Sequence, residues 1–178
     1  MSDRNPDHLE ATTRSRFERG RFAYEEVNGD RFRVVVTCTW RDPAGQIAAF
    51  NAGRSNAKPG QSYHNPIDVE GRPHSYAVDF QLRSVATGEL LEGSASSEWA
   101  EYERAAGYFK RFGFVWSGDW PRRDTVPVEC GHVNAPIPLA HAHAGRTPEW
   151  PEIPPEVEPE EKSNPRPRYA EKERGTNG

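Results

Sequence analysis

The chain has 178 residues, 34% hydrophobic and 28% charged, with a formal net charge of -4. That length suits one domain with a core of its own and no need of a disulfide framework. The balance of 23 Lys and Arg against 27 Asp and Glu argues against bulk electrostatic binding to nucleic acid. No apolar run is long enough to span a membrane, and Met1 to Asp7 lacks the apolar stretch of a secretory signal.

His8 to Val27 reads as a polar helix, with Phe17 and Tyr24 seven apart and Asn28-Gly29 as its stop. Arg33 to Trp40 reads as a strand, with Val34, Val36, Cys38 and Trp40 expected on one face. Asp42-Pro43 supplies an N-cap and a first-turn proline, which predicts a helix over Pro43 to Asn51. A Pro, Gly, Ser and Asn-rich loop covers Asn56 to Asn65. Ser75 to Leu82 alternates again: Tyr76, Val78, Phe80 and Leu82 share one face, Ala77, Asp79 and Gln81 the other. Ser96 or Ser97 opens a helix whose stripe is Trp99, Tyr102, Ala106 and Phe109, with Gly113 as its stop. Val126 to Val133 is a last short strand or bent loop. Helices and strands mix without a βαβ rhythm, which predicts an α+β fold around a small, mostly antiparallel sheet. From Arg146 to Gly178 the chain holds seven of its 16 prolines, 14 of its 50 charged residues and only five apolar ones. Such a stretch buries too little surface to offset its ordering entropy. The expected division is a folded domain over 1–145 and a disordered Pro/Glu-rich tail over 146–178.

Several side chains have chemistry to offer. Asp79 lies in a strand beside core residues, so its carboxylate needs a partner, a metal or an arginine. Glu129-Cys130-Gly131-His132 places a carboxylate three residues before an imidazole. Gly131 permits the bend that would bring both into one cleft. His8, His141 and His143 read as surface residues. Cys38 and Cys130 form no C-x-x-C pair, and Cys130 reads as packing.

Ser62-Tyr63-His64-Asn65 followed by Tyr76-Ala77-Val78-Asp79-Phe80 resembles the zinc-binding core of the peptidoglycan peptidases related to D-alanyl-D-alanine carboxypeptidases. The nearest branch is that of L-alanyl-D-glutamate endopeptidases, which includes many phage endolysins. Trp40-Arg41 with Gln46, and Phe112-Gly113-Phe114-Val115-Trp116-Ser117-Gly118-Asp119-Trp120, resemble flanking blocks of the same family, and Glu129 to His132 stands where its last motif would. The resemblance covers about 33–134 in the expected order. It departs from the family at Ser75 and Ser117, which stand for glycines. His64 and Asp79 are also 15 residues apart, a wider spacing that makes 66–74 an insertion. The insertion brings His74 near Asp79 and makes it the alternative to His64 as first ligand.

The resemblance implies a hedgehog-like or D-Ala-D-Ala-peptidase-like domain that binds Zn²⁺ through His64, Asp79 and His132. Glu129 would be the general base and Arg41 the stabiliser of an oxyanion or a substrate carboxylate. Ser62, Gln46, Trp116, Asp119 and Trp120 would line the substrate cleft. The expected activity is hydrolysis of a stem-peptide bond in bacterial peptidoglycan by a monomer made in the host cytoplasm without a signal peptide and acting at the wall. A D,D-carboxypeptidase of the same fold, and a zinc or wall-binding module without catalysis, are the alternatives.

Overall fold

The computed structural model describes residues 3–93, 95–120 and 131–153. Four helices and four strands follow in chain order: α1 (Ala11–Asn28), β1 (Phe32–Cys38), α2 (Pro43–Asn51), β2 (Ala77–Ser84), α3 (Ser96–Arg111), β3 (Val115–Trp116), β4 (His132–Asn134) and α4 (Leu139–His143). The strands form one antiparallel sheet in the order β1-β2-β4-β3. This is the expected α+β class. No described helix is long and apolar enough to cross a membrane.

The two faces of the sheet have different tasks. Val34, Val78, Phe80, Leu82, Trp116 and Val133 face α1 and α3 and form the main core with Phe17, Tyr24, Tyr102, Ala106 and Phe109. Period-two alternation then sends Ala77, Asp79, His132 and Asn134 to the opposite face. On that face Asp79 is paired with His132, and Ala77 with Asn134. Between the helices, Gly20 of α1 meets Phe109 of α3 so closely that a Cβ on Gly20 would lie 2.8 Å from that ring. Phe109 in turn stacks on Phe17 with centroids 4.9 Å apart and leans on Phe80 at 5.0 Å.

The Asp42 cap acts as read, whereas Ser96 and Ser97 lie inside α3, whose N-cap is Ala95 with no side-chain cap. The Asp42 carboxylate accepts from the Gly45 N–H at 2.6 Å, and Pro43 opens α2. The helix expected from His8 begins at Ala11, because Glu10 caps it by accepting from the amides of Thr12 and Thr13. That leaves Pro6–His8 as a separate 3-10 turn. In β1 the alternation breaks. A bulge between Val36 and Cys38 shifts the register, so Cys38 sits opposite Asp79 and leaves the face of Val34 and Val36.

Composition sets residues 146–153 with the tail, yet this stretch lies on the body. The Trp150 ring meets Phe114 edge-on at 5.1 Å, and the Arg16 guanidinium lies 4.8 Å above it. Arg16 also donates to the Pro151 carbonyl at 2.9 Å. Residues 154–178 lie outside the described ones.

Phe109 is fully buried at the meeting of α1, α3 and the sheet. Phe109→Ala is expected to lower unfolding stability by about 3–5 kcal/mol, measured by urea denaturation followed by circular dichroism.

Candidate metal centre

Asp79 is the middle of the site. Its carboxylate is only 5% exposed and sits on β2 between β1 and β4. One oxygen, Oδ1, is 3.0 Å from His64 Nε2 and 2.6 Å from His132 Nδ1. The other, Oδ2, accepts from the Arg41 guanidinium at 2.6 Å. The strand pairing that sets Asp79 opposite His132 delivers one imidazole. The loop before β2 delivers the other, held by the Arg41 N–H donating to the His64 carbonyl at 2.9 Å.

His132 is placed by its neighbour Gly131. The Phe80 N–H donates to the Gly131 carbonyl at 2.7 Å, and a Cβ on Gly131 would come within 1.9 Å of the Phe80 carbonyl oxygen. Only glycine allows the backbone this close to β2.

The His64 ring is fixed at both nitrogens. Its Nδ1 lies 2.9 Å from the Thr39 carbonyl, which can only accept, so Nδ1 carries the proton. Nε2 is thereby turned towards Asp79. Cys38 Sγ stands 3.8 Å from the same Nδ1, on the Thr39 side of the ring.

The electrostatics follow from burial and charge together. Burial opposes a charged His64, but the Asp79 carboxylate and its hydrogen bond outweigh this and raise the imidazole well above its ordinary value of 6.5. Burial likewise opposes a charged Asp79. The charge of His64 and the hydrogen bonds from both imidazoles outweigh it and hold the carboxyl far below its usual range. Asp79 is thus a buried carboxylate whose charge is offset by the Arg41 guanidinium and the His64 imidazole.

Cys38, His64 and Asp79, all buried, each bring a ligand atom to within 4.8 Å of the others and can hold a metal ion. Among the described residues this is the group whose ligand atoms lie that close together; His132, the third ligand expected from the sequence, stands 2.6 Å from Asp79 Oδ1 beside it.

The remaining sequence candidates divide. Gln46 is fully buried and ties the loop: its Nε2 donates to Ser55 Oγ and the Ala57 carbonyl, while its Oε1 accepts from Arg41 at 3.4 Å. Arg41 is an ion-pair partner of Asp79 inside the protein. Ser62 Oγ accepts from the His64 N–H at 3.2 Å. Trp120 meets the His132 ring at 5.7 Å and stands beside the cluster. Trp116 belongs to the core, where it packs on Trp99 at 5.3 Å. Asp119 points away to an exposed ion pair with Lys110 at 2.6 Å. His74 leaves the site to His64 and packs edge-on against Tyr76 at 5.3 Å. The insertion that carries it closes on itself through the Ile67–Pro73 bridge and the Asp68–Arg72 ion pair. His8 pairs with Asp3 at 2.6 Å, and His143 Nε2 is 3.2 Å from the Ser62 carbonyl. Glu129 and Cys130 lie outside the described residues.

Sequence patterning missed three contributors. Cys38 reaches the site through the bulge, and Thr39 acts through its carbonyl, so no side-chain signal marks either role. Asn134, two residues after His132 on the same strand, was within reach of simple alternation.

Asp79→Asn removes the carboxylate beside a buried guanidinium. In chelator the variant is expected to be about 3–5 kcal/mol less stable than the parent by chemical denaturation, and to retain no divalent metal after dialysis. The chain matches no protein-family model and no curated protein, so what the cluster does has to be argued from its own chemistry.

Proposed function

We propose that the chain is a zinc peptidase that hydrolyses a peptide bond in the peptidoglycan stem peptide, between L-alanine and D-glutamate, at the bacterial wall. The observation that carries this is the convergence of His64 Nε2 and His132 Nδ1 on a single oxygen of Asp79. Two imidazoles and a carboxylate are a familiar donor set for catalytic zinc. The motif order Ser62-x-His64, Asp79, Glu129-x-x-His132 supplies the reaction class by resemblance.

The donor chemistry fits the ion. His64 presents Nε2 because Thr39 holds the proton on Nδ1, which is the outer-shell arrangement that orients a ligating imidazole. Cys38 sits on the protonated edge of that ring, so His64, Asp79 and His132 form the preferred set. Arg41 binds the second Asp79 oxygen and keeps Oδ1 turned to the imidazoles. A zinc ion held there supplies Lewis acidity toward a carbonyl and activates water for attack at neutral pH.

The chain's own residues do the rest. Glu129 takes the proton of the attacking water and returns it to the leaving amine, as a base that becomes an acid. Arg41, already engaged by Asp79 and Gln46, acts by positioning the carboxylate. That engagement favours an endopeptidase over an enzyme that captures a terminal carboxylate with this arginine.

One set of variants tests the reading. Glu129→Ala should keep one equivalent of zinc and lose digestion of purified peptidoglycan by at least about 100-fold. His132→Ala should lose the zinc, while Cys38→Ala should change zinc affinity by no more than the roughly 10–100-fold of an outer-shell contact. Full lytic activity in Glu129→Ala would refute the mechanism, and zinc retained by His132→Ala but lost by Cys38→Ala would exchange the donor sets.

The pH dependence has a definite sign. In metal-free protein the protonated His64 is stabilised by Asp79, so this contribution is fully present below about pH 6.5 and fades as pH rises through the raised folded value. Zinc has to displace that proton. Zinc affinity, measured by competition with a chromophoric chelator, should therefore increase with pH over the range in which this stabilisation fades.

A further inference from the structure

The residues before α1 are fastened to the backbone that carries the metal centre. At one end of this segment the Asp3 N–H donates to the Trp40 carbonyl at 3.0 Å, and the Thr39 N–H donates to the Asp3 carbonyl at 2.8 Å. At the other end the Ser75 N–H donates to the His8 carbonyl at 2.8 Å, and the Glu10 N–H donates to the Ser75 carbonyl at 2.8 Å. In sequence the two attachments bracket the loop that carries His64.

Side chains reinforce the first attachment. Thr39 is only 1% exposed. Its hydroxyl lies 2.8 Å from Asp3 Oδ1 and 2.9 Å from the Asn5 carbonyl, both acceptors. The other Asp3 oxygen is 2.6 Å from His8 Nδ1, and the His8 ring meets Trp40 edge-on at 6.1 Å.

The bulge in β1 explains why Thr39 needs this support. The ladder to β2 ends at the Cys38–Asp79 pair, so Thr39 and Trp40 lie beyond it. Asp3 pairs with them there. It holds the Thr39 N–H and the Trp40 carbonyl, which belong to the peptide units on either side of the Thr39–Trp40 peptide. The carbonyl of that middle peptide faces His64 Nδ1 at 2.9 Å. The Trp40–Arg41 peptide extends the link, since its carbonyl accepts from Asp3 and its N–H donates to the His64 carbonyl. A planar peptide held through both neighbours cannot turn without breaking hydrogen bonds.

We infer that Asp3 is a positioning residue of the metal centre: it holds the Thr39 carbonyl against His64 Nδ1 and so keeps Nε2 aimed at Asp79. Its part in metal binding rests on the proposed function, whereas its hold on the ring does not.

The experiment reads the ring and the metal separately. Full-length chain labelled with 15N-histidine is studied by NMR, metal-free and zinc-loaded, for exchange of the His64 Nδ1 proton with water. Asp3→Ala and Thr39→Val should each speed this exchange about tenfold, the factor that one lost hydrogen bond carries. The His132 Nδ1 proton, held by Asp79, should exchange as in the parent. Asp3→Asn and Thr39→Ser keep the acceptor and the hydroxyl and should restore the parent rate. Zinc affinity, measured by competition with a chromophoric chelator, should fall about tenfold in the first two variants and hold in the second two. An unchanged His64 proton, or an unchanged zinc affinity, in both Asp3→Ala and Thr39→Val overturns the positioning role. Equal acceleration at both imidazoles overturns it too, because general loosening of the fold gives that result. Should Asp3→Ala fail to fold, Thr39→Val decides. A parent chain that binds no zinc while its His64 proton responds as expected would refute the zinc centre and support the hold of Asp3 on the ring.

Discussion

One buried carboxylate organises this protein. Asp79 sits in the middle of the sheet with both oxygens committed, one to Arg41 and one to the two imidazoles. An isolated carboxylate in that position would be costly enough to take up a proton instead. Its charge persists because three elements bring positive or proton-bearing groups to it: Arg41 from the turn after β1, His64 from the loop before β2 and His132 from β4. Much of the local architecture can be read as what is needed to deliver them. Gln46 ties the loop, the Arg41 amide holds His64, and Gly131 lets β4 come close enough for His132 to reach its partner.

The two sheet faces share the same strands but obey different constraints. On the helix side, stability comes from stacked aromatic rings and buried valines, where the packing of α1 on α3 sets the tolerance. On the other side, the same strands carry Asp79, His132 and Asn134, which bring little apolar area and need exact partners. The core rigidifies the strands, and the strands set the distances between the polar groups. Function is thus mounted on the most stable part of the fold, where small displacements are resisted from behind.

Much of this was legible in the sequence. Alternation in 75–82 put Asp79 on the face opposite Phe80, and Asp42-Pro43 gave the bounds of α2. The motif order identified His64 over His74, although the insertion left both open by spacing. What was not legible depended on backbone. The β1 bulge turned Cys38 to the site against its alternation, and a carbonyl of Thr39 set the tautomer of His64. The short strand β3 has only two residues, too few for a periodic signal, and Trp116 and Asp119 could not be divided between core, surface and cleft from a motif. Composition set Trp150 apart from the body because prolines and glutamates surround it, while one large ring buries enough area to hold its segment down.

The bulge in β1 also bears on what kind of site this is. With regular pairing Cys38 would enter the core face, and the carboxylate would face β1 with no thiol beside it. With the bulge, a soft donor stands within 3.8 Å of a ring nitrogen that Thr39 has already claimed. A metal bound through Nδ1 beside the thiol would have to strip His64 of that hydrogen bond. A metal bound through His64 Nε2 displaces the proton shared with Asp79 and leaves the Thr39 hydrogen bond in place. The backbone carbonyl therefore selects Nε2 as the ligating nitrogen of His64, and it does so through an atom that no substitution of side chain can remove.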